Sequence, residues 1–70
     1  MKNIFGKRLK ELRNRENLSI RQLGKLTDIS PTCISRWERE VSIVNAEQLI
    51  IFAKFFNVSL DYLVGLRDFD

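Results

Sequence analysis

Apolar residues recur along this chain at three- and four-residue intervals. Ile4, Phe5, Leu9 and Leu12 form the first stripe, with Lys7, Arg8, Lys10 and Glu11 on the opposite face, and this predicts an amphipathic helix over 3–16. Leu23, Gly24 and Leu26 mark the inward side of a second helix, about 19–26. Ile34 and Trp37 do the same for a third, about 30–39. A fourth, about 46–56, turns Leu49, Ile50, Phe52, Ala53 and Phe56 inward and leaves Ile51 and Phe55 on a side the core need not cover. A short fifth helix, about 60–65, ends at Gly65. No segment alternates with period two, so no sheet is expected. The predicted fold is all-α: five helices in one domain, residues 1–70, with its core at about 4–66.

Polar residues punctuate these stripes where helix ends need them. Ser19 is placed to cap the second helix, and Gln22 three residues on completes a capping box. Leu18 and Leu23 can staple across that cap. Ser30 repeats the device for the third helix, with Pro31 at the first helical position, where a missing N–H costs nothing. Asn45 with Gln48, and Ser59 with the Val58–Leu63 staple, open the last two helices, while Asn57 suits the end of the fourth. Between the second and third helices lie only Thr27, Asp28 and Ile29, too few residues to let the helices run on in parallel. That spacing predicts a helix-turn-helix, whose second helix lies in the major groove of DNA.

The side chains of the third helix suit that task. Opposite Ile34 and Trp37 lie Pro31, Thr32, Ser35 and Arg36, with Cys33 at the margin. Most are short, and a helix entering a groove about 12 Å wide needs a slim face with a few reaching groups. Arg36 can bond guanine or a phosphate. Thr32 can donate, accept or touch a thymine methyl, and Pro31 and Cys33 offer apolar contact. Trp37 is expected as a core anchor rather than a stacking surface. Gly24, unusual inside a helix, is expected where the third helix crosses closely.

Charge divides the chain. Residues 1–39 carry ten Lys/Arg against four Asp/Glu, a net of +6, and residues 40–70 carry two against five, a net of −3, which returns the +3 of the whole. The basic half holds the helix-turn-helix, as a polyanion-binding surface requires, although a solvated basic face would give the same count. The chain has one cysteine and no histidine, so neither an internal disulfide nor a zinc site with about four N/S ligands is expected. The lone thiol and the lack of a signal peptide imply the cytoplasm. No apolar run approaches the roughly 20 residues of a membrane span. An enzyme is not expected: histidine, the commonest general base, is absent, Cys33 has none to activate it, and Gly6, Gly24 and Gly65 are too far apart to cradle a phosphate. Nothing implies a cofactor or a small-molecule substrate.

From Leu18 to Gly65 the chain resembles the phage repressor/Cro type helix-turn-helix, the XRE-like domains. The matching pieces are Leu18-Ser19, Gln22-Leu23, Ile29-Ser30, Ile34-Ser35, Trp37-Glu38-Arg39, Glu47 with Leu49, Ala53-Lys54 and the run Asn57 to Leu63. The resemblance implies sequence-specific binding of double-stranded DNA by a homodimer that regulates transcription, most simply as a repressor. It implies base readout by Pro31, Thr32, Cys33 and Arg36. It puts phosphate contacts at Ser19 and Ile20 and at Arg39 and Ser42, and it pairs Arg13 with Glu38. Asp28 stands where the family often has Gly in the turn, and Glu40-Val41 where Gly and Lys are common. Val44 replaces a frequent Pro, and Ile20 a frequent polar residue. The set Ile51, Phe55, Tyr62, Leu66 and Phe69 is available for a dimer interface, or is ordinary scattered surface. The alternative function is a protein-interaction module on the same fold, using those residues and the connection 39–45, made apolar by Val41, Ile43 and Val44, with DNA binding lost or secondary.

Overall fold

The structure, a computed structural model, describes residues 4–68. Among them are five helices and no strand: α1 (Phe5–Arg15), α2 (Ile20–Thr27), α3 (Pro31–Glu38), α4 (Ala46–Phe56) and α5 (Leu60–Val64). The caps fall where the polar residues sit in the sequence. Ser19 accepts from the Gln22 N–H at 3.0 Å, and Gln22 returns the bond to the Ser19 N–H at 2.7 Å. Asn45 and Gln48 do the same for α4, Ser59 caps α5 through the Tyr62 N–H, and Ser30 caps α3 through the Thr32 N–H.

The helix ends share one geometry. In each of the five, a residue of positive φ follows the helix: Asn17, Asp28, Glu40, Asn57 and Gly65. The next N–H then bonds back to the carbonyl five residues earlier, as in Leu18 to Arg13, Ile29 to Gly24, Val41 to Arg36, Val58 to Ala53 and Leu66 to Asp61. This is the Schellman arrangement, and an apolar residue follows every left-handed position, as that motif favours. Gly, Asn and Asp visit the left-handed region at little cost. Glu40 (φ 61°) does not belong to that group, so α3 ends on a strained residue.

One apolar cluster joins the helices. Phe5, Leu9 and Leu12 from α1 meet Leu23 from α2, Ile34 and Trp37 from α3, Phe52 and Phe56 from α4, and Val58 and Leu63. Trp37 is the anchor: its ring meets Phe5 edge-on at 6.3 Å and Phe52 edge-on at 5.8 Å, which ties α3 to both α1 and α4. Outside this cluster the Arg8 guanidinium lies 4.1 Å from the centre of the Tyr62 ring and joins α1 to α5.

Two expected core residues are on the surface. Leu26 is 60% exposed and Ile50 is 42% exposed. In α2 the inward side is Leu23 and Gly24, flanked by half-buried Ile20 and Thr27, which leaves Leu26 about one-third of a turn away. Ile50 lies two positions, about 200°, from Phe52. Ile51, expected outside, is half-buried.

Candidate nucleic-acid interface

The α2–α3 unit is built from the residues the sequence singles out. Thr27 closes α2, with its hydroxyl donating to the Leu23 carbonyl at 2.7 Å, so the turn is Asp28–Ser30, one residue later than expected. Asp28 takes the left-handed conformation (φ 58°) that reverses the chain. Gly24 makes the return possible. A Cβ there would stand 2.6 Å from the Ile29 carbonyl oxygen and 3.0 Å from Pro31 Cγ, so the turn and the first residue of α3 occupy the space any side chain would need. The close approach is therefore to the turn and to Pro31 rather than to the middle of α3.

Burial of Ile34 and Trp37 fixes which side of α3 faces out. Pro31, Thr32, Cys33 and Arg36 are all exposed, and Ser35 is half-buried. The Cys33 thiol is free and solvent-facing. At the two flanks, Ser19 at the mouth of α2 and Arg39 and Ser42 beyond α3 are exposed. Ile20 instead packs against the core, so only its backbone N–H is available to a ligand. The loop after α3 carries Val41 and Ile43 into solvent, 63% and 89% exposed.

Arg13 locks this unit to α1. Its Nε donates to Glu38 Oε2 at 2.7 Å, Nη2 to Oε1 at 2.9 Å, and Nη1 to the Leu18 carbonyl at 2.8 Å. One side chain thus holds the last residue of α3 and the residue before the α2 cap. The two side chains are 12% and 5% exposed. The bond to Glu38 raises the Arg13 pKa above its ordinary value against the opposing effect of burial, so the guanidinium is charged at any workable pH.

Neither Arg21 nor Lys25 stands out in the sequence, because each alone is an ordinary exposed helix cation. In the fold both line an open trough of about 550 Å³ between α2 and the start of α3, beside Gln22, Asp28, Ser30 and Pro31. Their spacing of four residues was the available signal. Among the described residues no group of three or more His, Cys, Asp and Glu is arranged to hold a metal, and no helix is long and apolar enough to cross a membrane.

The candidate dimer residues differ in exposure. Phe55 is 38% exposed and Leu66 60% exposed. Ile51 and Tyr62 are half-buried, Tyr62 also sits beneath Arg8, and Phe69 lies outside the described residues. Ile50 and Leu60 add exposed apolar surface to the α4–α5 side.

Comparison with known proteins places this geometry. A model of the Helix-turn-helix family matches residues 9–63. BcrR of Enterococcus faecalis, an HTH-type transcriptional activator, is 38% identical over 61 residues, which are 87% of this chain and 30% of that protein. Repressor protein C2 of Salmonella phage P22 is 38% identical over 63 residues, 87% of this chain and 28% of the repressor. The crystal structure of the P22 c2 repressor with a synthetic operator superposes with a TM-score of 0.81 at 32% identity, over 90% of this chain and 96% of that one. A transcriptional regulator from Listeria innocua superposes with a TM-score of 0.84 at 25% identity, over 93% of this chain and 61% of that one. The chain spans 28% to 58% of the length of the curated relatives it matches.

Proposed function

Because this chain belongs to the Helix-turn-helix family, we propose that it binds double-stranded DNA sequence-specifically and regulates transcription, with α3 as the reading element. The observation that carries this is the division of α3. Ile34 and Trp37 are sunk in the core, while Pro31, Thr32, Cys33 and Arg36 stand out from it, exposed among the described residues. In this reading Arg36 and Thr32 meet base edges, and Pro31 and Cys33 make apolar contact in the groove. The Ser19 side chain, the Ile20 N–H, Arg39 and Ser42 meet phosphates on either side and set the register of α3 without adding sequence information. The operator-bound relative supports the partner, and the +6 charge of residues 1–39 supports the polyanion.

A homodimer would present two copies of α3 to half-sites about 34–36 Å apart. Repression is the simplest outcome, since occupying an operator excludes other proteins without requiring a further contact surface. The protein acts in the cytoplasm, on the DNA there, and performs no catalysis. Gel shifts over a range of salt test the reading. Affinity should fall steeply as salt rises, because neutralised phosphates release counterions, and a specific duplex should outcompete random DNA. Absence of binding at low salt would refute it.

A further inference from the structure

The first turn of α3 offers a base very few hydrogen-bonding groups. At about 100° per residue, Thr32 lies nearly opposite the midpoint of buried Ile34 and Trp37, with Pro31 and Cys33 one residue to either side. All three are exposed. Pro31 has no N–H, and the Thr32 N–H is already given to the Ser30 hydroxyl at 3.2 Å. What remains is the Pro31 ring, the methyl and hydroxyl of Thr32, and a Cys33 thiol that donates weakly. Residues 31–36 contain no Asp, Glu, Asn or Gln. The carboxylate that accepts from cytosine N4 and the amide that matches adenine are therefore both missing. Base edges against this turn are told apart by apolar contact. The apolar group that the major groove displays is a methyl on C5 of a pyrimidine. In unmodified DNA that methyl belongs to thymine, and cytosine methylated at C5 carries it at the same ring position.

We propose that the first turn of α3 senses cytosine methylation: a 5-methylcytosine under Pro31, Thr32 and Cys33 binds more tightly than cytosine, because it presents the methyl group of a thymine. The assignment rests on the DNA-binding reading above and names the class of base that site takes. Thr32 makes the exchange possible. Its γ-methyl gives the apolar contact, while its hydroxyl can donate to thymine O4 or accept from the N4 group of the methylated cytosine, so neither base is left with an unmatched polar group. The short side chains of the turn leave the added methyl room to pack instead of a clash. Arg36 has donors only, so it meets a guanine or a phosphate and is indifferent to the methyl.

The test measures the affinity of the full chain for a duplex that the chain itself selects from a random pool. Each thymine is replaced in turn by deoxyuridine, which removes the methyl and keeps every hydrogen-bonding group. At least one position in each half-site should lose about fourfold, the factor that one buried methyl group contributes. At those positions a C·G pair should bind more weakly than T·A, and 5-methylcytosine should regain about fourfold over cytosine. Thr32→Ser keeps the hydroxyl and should shrink the methyl effect, whereas Thr32→Val keeps a γ-methyl and should preserve it. Both changes fall on an exposed side chain and leave the core as it is. Deoxyuridine tolerated at every position overturns the proposal and leaves the DNA-binding reading in place. So does 5-methylcytosine that binds no better than cytosine at a uridine-sensitive position, or a methyl effect undiminished in Thr32→Ser. A chain that enriches no duplex and binds none overturns both.

Discussion

Gly6 sits where α1 presses on the end of α3, and the fold predicts that it tolerates no side chain. A Cβ built there overlaps the backbone carbonyl oxygen of Trp37 and stands 3.1 Å from Glu40 Cγ and 3.2 Å from the Trp37 carbonyl carbon. The obstacle is backbone, which cannot rotate away. The same Trp37 oxygen accepts the Glu40 N–H at 3.0 Å, so moving it also loosens the cap of α3. Gly6→Ala must therefore push α1 off α3 and open the packing of Phe5 and Leu9, which are 2% and 0% exposed. Overpacking of this kind costs about 3 kcal/mol at the upper end of its usual range, while Ala in a helix recovers about 1 kcal/mol over Gly, leaving a net loss of about 2 kcal/mol. For a domain of this size that corresponds to a fall in melting temperature of roughly 8–16 °C. Thermal unfolding followed by circular dichroism reads it directly. A melting temperature equal to the parent's, or raised as helix propensity alone demands, would show that α1 does not rest on Trp37.

Three further substitutions probe other joints of the fold. Arg13→Ala leaves the Glu38 carboxylate nearly buried and unpaired, and should cost about 3–5 kcal/mol in urea unfolding, whereas Arg13→Met with Glu38→Leu should recover much of the loss. Glu40→Gly relieves a left-handed strain of about 1–2 kcal/mol at an entropic cost of about 0.5–1 kcal/mol, so the melting temperature should rise by about 4 °C. The same change removes a negative charge beside the proposed interface, and DNA affinity should rise with it. Gly65→Ala places a Cβ at φ 90° and 2.7 Å from Ile4 Cγ1, and should destabilise by about 2 kcal/mol in the same thermal assay.

Local devices were legible in the sequence because their partners lie within a few residues. Ser19 with Gln22, Asn45 with Gln48, Ser30 before Pro31, and Asp28, Asn57 and Gly65 at helix ends are all written at fixed short offsets. Glu40 was not, because a glutamate argues against the left-handed conformation it adopts. Leu26 and Ile50 stand in solvent although their spacing points them inward, because an apolar residue at the margin of a helical stripe has no local mark of which neighbour covers it. Gly6 was equally silent: only the approach of α3, some thirty residues on, makes a side chain there impossible. Arg13 and Glu38 lie 25 residues apart, and family resemblance rather than spacing joined them. Arg21 and Lys25 became visible as a pair once the turn had brought Pro31 alongside them.

Whether the exposed side of α3 reads base edges is decided by selecting duplexes from a random pool with the parent protein and with Arg36→Ala. The parent should enrich a symmetric site with half-sites one helical turn apart, and the variant should bind that site about 1–3 kcal/mol more weakly and lose its preference at one position of each half. Enrichment of no sequence by the parent, or an identical preferred site after Arg36 and Thr32 are both replaced by Ala, would contradict it.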